Sequence, residues 1–319
     1  MNTSFHPLLE GGYPVLHADA ALAHRIESAD VQGQADYIAA LNRVYPELGG
    51  RTVALGEGAH AFYAGPDSPI NRAVGLGMGL AGEDLSRALE RMEAFYRECG
   101  ENPQLDLCPL SDDRLWGLLG DRGYRIRWFI NVHFRALTPG QGQGPGHGHS
   151  PGHGHSPDHG HGLDHGHGLD HALSLPPTPH GLKVTVARTR EERDLWVQTI
   201  DQGFSESDDK PLTHPSIAYA VSHRPMVSCF LATIDGEPAG GAALEIIDGV
   251  AHCFSTSTRP RFRGRGVQTA LLEARLAAAE AAVCDLAVVM TTPGTPSQRN
   301  VERAGFRTAY TFARMIKES

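Results

Sequence analysis

The sequence predicts an α+β protein of two domains, each a mixed, mostly antiparallel sheet flanked by helices, joined by a His/Gly-rich flexible linker. Three observations lead there. The chain has 319 residues, more than a single hydrophobic core usually serves. Residues 139–179 are almost wholly Gly, His, Pro, Ser and Asp, in tandem units such as Gly-His-Gly-His-Ser-Pro, and offer nothing to bury. On either side of that stretch, apolar runs of period two alternate with runs of period 3.6 in the same order. The expected division is a first domain at 1–138, the linker at 139–179 and a second domain at 180–319.

In the second domain, 183–187 reads as a strand and 190–203 as a helix with Leu195, Trp196 and Thr199 on one side. Strands follow at 226–234 and 238–246, joined by Asp235-Gly236, and Asp248-Gly249 turns the chain into the next strand at 250–257. An Ala/Leu-rich helix starts at Gly266. The β-branched run 285–290 is a buried strand, 291–296 a Pro/Gly loop, 297–304 a short helix and 308–316 the closing strand. The strands from Val250 and Asp285, linked by a helix, should form the parallel pair.

The first domain repeats that order. A strand at 70–78 precedes a helix at 83–99, where Leu85, Leu89, Met92 and Tyr96 recur at helical spacing. A strand at 104–110, a helix at 112–119, the pair Gly123-Tyr124 and a strand at 127–137 complete it. Gly123-Tyr124 stands where Gly305-Phe306 stands in the second domain.

Bulk properties exclude several classes. The net charge of −9 gives no basic field for nucleic acid. No long uncharged apolar run suggests a membrane span, and residues 1–10 lack the layout of a secretory signal. Five scattered cysteines without a C-x-x-C pair fit reduced thiols in a cytoplasmic protein.

The most informative stretch is Thr258-Arg259-Pro260-Arg261-Phe262-Arg263-Gly264-Arg265-Gly266-Val267-Gln268-Thr269-Ala270-Leu271-Leu272, between a strand and a helix. Two glycines in such a turn leave backbone N–H groups uncovered along the new helix axis, where partial positive charge gathers. Arginines beside them supply planar donors suited to phosphate oxygens. These residues read as a pyrophosphate cradle.

The stretch resembles the acetyl-coenzyme A site of the GNAT N-acetyltransferase superfamily, whose pattern is Val-x-Pro-x-x-(Arg/Gln)-Gly-x-Gly-x-(Gly/Ala)-x-x-Leu-Leu. The register with Pro260, Arg263, Gly264, Gly266 and the pair Leu271-Leu272 fits best, with Gln268 where Gly or Ala is usual. The short helix ending in Gly305-Phe306 is similar to the family's last helix. The resemblance covers about 183–317. It implies acetyl-CoA as co-substrate, bound by Ser257, Thr258, Arg263, Gly264, Arg265, Gly266, Val267, Gln268 and Thr269, with no metal required. It also implies parallel strands that splay to admit the pantetheine, and a thioester carbonyl polarised by a backbone N–H within 255–258. Val301 replaces the tyrosine that many members use as acid, and Gly294 replaces a common asparagine. By its order of elements, the first domain resembles a degenerate GNAT copy without the Arg-Gly-x-Gly turn.

Acyl transfer to an amine needs a neutral amine, a polarised carbonyl and a stabilised thiolate. Glu245 and His252 are the candidate bases, with Asp285 a third. Ser297 is the candidate near the leaving group, with Tyr310 or a water as alternatives. The acidic loop 204–210 is expected to attract a cationic acceptor. The nine histidines between His147 and His171 could bind Zn²⁺, Ni²⁺ or Cu²⁺, weakly in a flexible segment. Three functions stay open: an acetyl-CoA-dependent N-acetyltransferase acting on a primary amine of a small molecule or protein, a non-catalytic acyl-CoA sensor or scaffold, and a metal-binding protein acting through the linker. Monomer and homodimer both fit.

Overall fold

The computed structural model describes residues 17–78, 85–138 and 181–318. The first half contains α1 (Ala20–Val44), β1 (Arg51–Gly56), β2 (Ala59–Tyr63), β3 (Arg72–Val74), α2 (Leu85–Glu98), β4 (Gln104–Leu107), α3 (Arg114–Asp121) and β5 (Arg125–Ala136). The second contains β6 (Leu182–Val186), α4 (Arg190–Phe204), α5 (Ile217–Ser222), β7 (Val227–Ile234), β8 (Glu237–Ile247), β9 (Val250–Thr258), α6 (Val267–Ala281), β10 (Leu286–Thr291), α7 (Pro296–Arg303) and β11 (Arg307–Ile316). All the elements predicted in the second half form close to their predicted places. The strand expected at 70–78 contracts to β3, because Gly75 and Gly77 take φ of 78° and 79° and turn the chain. The His-rich segment lies outside the described residues.

The expectation of one sheet per domain needs revision. The strands form a single eleven-stranded sheet in the order β1-β2-β3-β4-β11-β5-β10-β9-β8-β7-β6. The closing strand of each half is inserted in the other half: β11 pairs with β4, β5 pairs with β10, and β5 and β11 pair with each other, all antiparallel. Strand periodicity encodes which residues face the core but not which neighbour completes the ladder. The two parallel pairs are β3 with β4 and, as predicted, β9 with β10.

Two helical layers cover this sheet. On one face α6 and α7 pack on the second half through Val267, Leu271, Leu276 and Val301, and α2 and α3 pack on the first half through Leu89, Met92, Leu115 and Leu119. On the other face α4 and α5 join α1, with Trp196, Ile200, Tyr37, Ile38 and Leu41 in one cluster. Helix α4 starts with a full capping box between Thr189 and Glu192.

Helix α1 spans both halves. Its 25 residues extend about 37 Å at 1.5 Å per residue. Asp19 caps it, its carboxylate accepting from the Leu22 N–H at 2.9 Å. Leu22, Ile26 and Ala29 pack on Val132, Phe134, Leu286, Val288 and Phe312 of the three central strands. Buried among these apolar contacts, Asp30 lies 3.6 Å from Arg72, Arg72 donates to Asp106 at 2.8 Å, and Arg314 of β11 pairs with the same Asp106. This buried ionic chain ties α1, β3, β4 and β11 together.

Candidate active site

Strands β9 and β10 pair from Val250↔Leu286 to Cys253↔Val289 and then part. Just past that point β9 bulges: its register against β8 shifts between Ala243↔Phe254 and Gly241↔Ser257, and Ser255 takes φ of 45°. A bulge of this kind turns backbone groups out of the ladder. Residues 254–258 of β9 therefore border an opening in the sheet, as the splaying predicted.

The cradle begins at the end of β9. Pro260–Phe262 forms a single 3₁₀ turn, Gly264 and Gly266 take φ of 75° and 79°, and Gly266 is the N-cap of α6 without a side-chain cap bond. A Cβ on either glycine would meet nothing within 4 Å, so it is the left-handed backbone that calls for glycine there. Ala270 makes the first backbone bond of the helix, to Gly266 at 3.0 Å. The earlier amides of α6 remain for an anion. Gln268 does not obstruct them. Its Oε1 accepts from Asn300 Nδ2 of α7 at 2.6 Å, which draws the side chain off the helix mouth.

The four arginines of the segment divide by role. Arg259 is buried, donating to Asp208 Oδ1 at 3.1 Å and to the Pro238 carbonyl at 2.8 Å. Arg261 lies 3.8 Å from the same Asp208 and 3.5 Å from Glu237. The side chains of Arg263 and Arg265 are each 48% exposed, with carboxylates only at 3.5 Å (Glu206) and 3.9 Å (Asp235). Contacts so long and exposed contribute little, so these two can turn to phosphate. The acidic loop thus differs from its expected use: Asp208 holds the cradle, leaving less charge for a cationic acceptor.

The other expected cofactor residues also separate. Ser257 Oγ donates to the Ile200 carbonyl at 3.1 Å, and Gly203 of α4 presses on it, so Ser257 offers only its backbone. Val267 is buried against Gly240 and likewise offers an amide, while Thr269 is exposed on the first turn of α6. Thr258 is 6% exposed, and its Oγ1 has no hydrogen-bond partner among the described residues. A buried hydroxyl in that state calls for a ligand or a water.

Glu245 and His252 are brought together as cross-strand partners on the α1 face of the sheet. Glu245 is 3% exposed and pairs with Arg224, which also donates to Asp36 at 2.9 Å and to the Gly33 carbonyl at 2.8 Å. Burial pushes its carboxyl up to about 7 despite the Arg224 charge. Glu245 therefore locks α1 and the Arg224 loop to the sheet and does not face solvent. His252 is partly exposed, with its ring 5.5 Å from Phe254, and burial pushes its imidazole below the ordinary value. Ser297 is exposed on the first turn of α7, on the opposite face, and is not brought to this pair.

The remaining candidates have structural partners. Tyr310 donates to Glu27 at 2.7 Å inside the core, Asp285 pairs with Arg25, and Val301 is buried beneath α7. Sequence reading missed Arg224, Asp30 and Asn300, whose roles depend on contacts between distant segments. A surface hollow lined by Glu93, Arg97, Glu101 and Lys317 shares no residue with this region.

Residues 193–306 match the model of the acetyltransferase (GNAT) family. The second half of the chain carries a GNAT acetyltransferase domain. No protein of curated function matches the sequence. Among solved structures, a GCN5-related N-acetyltransferase from Kribbella flavida is similar with a TM-score of 0.60 and 19% identity, over 93% of this chain and 96% of that one. A tandem GNAT protein from the clavulanic acid biosynthesis pathway is similar with a TM-score of 0.53 and 14% identity, over 82% of this chain and 78% of that one. At such identities the likeness is one of fold, and it extends over both halves around the GNAT domain.

Proposed function

We propose that the protein is an N-acetyltransferase that moves the acetyl group of acetyl-CoA to a primary amine by direct attack in a ternary complex. One observation carries the reading: an uncapped helix N-terminus, approached through two left-handed glycines, stands beside the parting of two parallel strands. The amides of 264–269 and the guanidinium groups of Arg263 and Arg265 would hold the pyrophosphate. The pantetheine would pass between β9 and β10, and an amide of the bulge at 255–258 would polarise the thioester carbonyl. The uncapped amides and the orphan hydroxyl of Thr258 fit such a ligand.

His252 is the preferred base. Its lowered pKa keeps the imidazole neutral at pH 7, so it can accept a proton from the ammonium acceptor directly or through water. Glu245 is already engaged by Arg224 and covered by α1. The amine nitrogen attacks the carbonyl carbon, the C–S bond breaks with its electron pair leaving on sulfur, and the amide nitrogen gives up a proton. The products are the N-acetyl amine and coenzyme A.

A second reading, binding without turnover, is favoured by Val301, an apolar core residue on α7 where a proton donor would serve the leaving group. Calorimetric titration of the full chain with acetyl-CoA, followed by thiol release with a panel of primary amines, tests both readings. Saturable binding with turnover supports the enzyme, and binding without turnover on any amine supports the second reading. An unaltered affinity in an Arg263→Ala/Arg265→Ala variant would refute the cradle. Losing two charged contacts of roughly 1–2 kcal/mol each should weaken binding about 30- to 1000-fold.

A further inference from the structure

The first half of the chain contacts the end of β10, where that strand has left β9. Along β10, Ala287 and Val289 point to the face that carries α6 and α7, so Thr291, the last residue of the strand, points there too. It lies one pleat beyond Val289, where β10 has lost its pairing with β9. On its other side Thr291 pairs with Asn131 of β5, the strand contributed by the first half. Next on that face of β5 stands His133, fully buried at 0% exposure. His133 Nε2 lies 2.9 Å from Thr291 Oγ1 and its Nδ1 lies 3.2 Å from Thr308 Oγ1 of β11. A line Thr308–His133–Thr291 thus crosses three strands and ends at the opening.

We propose that Thr291 is the hydrogen-bond donor to the leaving sulfur of coenzyme A, and that His133 is the positioning residue that directs it. The proposal rests on the reading of the site as an acetyl-CoA site. The Thr308 hydroxyl donates to Nδ1, the Nε2–H donates to Thr291 Oγ1, and the Thr291 O–H is left to point into the opening. Burial lowers the pKa of His133, so the ring stays neutral and keeps a single N–H. Glu302 of α7 is the charged group whose field reaches it, and acts in the opposite direction. When the C–S bond breaks, the negative charge on sulfur accepts the Thr291 hydrogen bond. The hydroxyl keeps its own proton, and the proton that finally rests on sulfur is the one released by the amine. A donor aimed where charge develops lowers the barrier because it needs no reorganisation during the reaction. On this reading the first half supplies the ring that orients a group in the second half's site.

The test uses full-length protein and coenzyme A alone, so it needs no acceptor. Thiolate absorbance in the ultraviolet is followed against pH for bound coenzyme A in the parent and in Thr291→Val, Thr291→Ser, His133→Gln and His133→Leu. Thr291→Val should raise the bound thiol's pKa by about one unit, a tenfold change in its acid constant. Thr291→Ser should match the parent. His133→Gln, which keeps an N–H donor, should stay near the parent, and His133→Leu should follow Thr291→Val. Should Thr291→Val fail to fold, the contrast between the two His133 variants makes the same decision. Equal thiol pKa values in the parent, Thr291→Val and His133→Leu, all binding coenzyme A, would overturn the proposal while leaving the site reading intact. A parent that binds no coenzyme A would remove both.

Discussion

Gly33 of α1 lies directly on the carboxylate of Glu245: a Cβ built on Gly33 would stand 2.5 Å from Glu245 Oε2. The first half therefore seats its long helix on the second half's sheet at a point where no side chain fits. Gly33→Ala should be destabilising. Helix propensity alone would favour alanine by about 1 kcal/mol, but displacing a buried, Arg224-paired carboxylate should cost about 1–3 kcal/mol more than that gain. Urea unfolding decides the sign, and a stabilised Gly33→Ala protein would show that α1 sits farther from the sheet.

Arg224 answers two carboxylates, Asp36 on α1 and Glu245 on β8. Arg224→Ala should cost about 3–5 kcal/mol, because it strands buried charge, and adding Glu245→Gln should recover part of the loss. A double-mutant cycle in denaturant measures this. Strict additivity would mean that the pair is not coupled.

Glu27 gives the pH dependence a definite sign. Burial pushes its carboxyl up to about 8, with Tyr310 donating to it and Asp30 nearby. The folded state holds that proton where the unfolded chain has lost it, so the contribution is complete below about pH 4.5 and is lost as pH rises through about 8. Glu27 should by itself lower stability between pH 5 and pH 8 by on the order of 3–5 kcal/mol, against the opposite trend from the buried imidazoles of His133 and His252. Glu27→Gln should remove that contribution, and equal slopes in parent and variant would refute the assignment.

The exchanged strands β5 and β11 predict how the chain behaves when cut. Each half alone would leave a ladder open and a strand unpaired. Proteolytic cleavage between residues 139 and 179 should leave both pieces in one particle of native mass, as light scattering after gel filtration would read. Pieces that separate without denaturant would contradict a continuous sheet.

The second half was legible because its signals are local. Turn dipeptides Asp235-Gly236 and Asp248-Gly249, β-branched runs and the Arg-Gly-Arg-Gly turn each carry their structure within a few residues. Helix α1 went unread although Asp19 caps it, because Glu27, Asp30 and Gly33 stand on its buried face and break the apolar stripe. Those residues are answered by Tyr310, Arg72 and Glu245, all remote in sequence. The strand exchange was hidden for a similar reason, since alternation along β5 fits a sheet edge as well as its centre. In the site, residue types mark out the Arg/Gly turn as the candidate cradle, but only the fold separates Arg259, a structural cation, from Arg263 and Arg265. It also shows that Glu245 has a partner that its hairpin position did not suggest.

Thr258 separates stability from ligand binding most cleanly. Its hydroxyl is buried at the end of β9 with no partner among the described residues. Leaving such a group unsatisfied costs about 1–3 kcal/mol, so the nearly isosteric Thr258→Val should stabilise the unliganded protein by about 1 kcal/mol. If the hydroxyl serves bound acetyl-CoA, the same change should weaken affinity roughly tenfold, the opposite direction from its effect on folding. Thermal unfolding with and without acetyl-CoA measures both: the variant should melt higher alone and gain less from the ligand. A variant that melts lower alone would mean that Thr258 already has a partner in the unliganded fold. An equal gain from the ligand would remove it from the cofactor contacts.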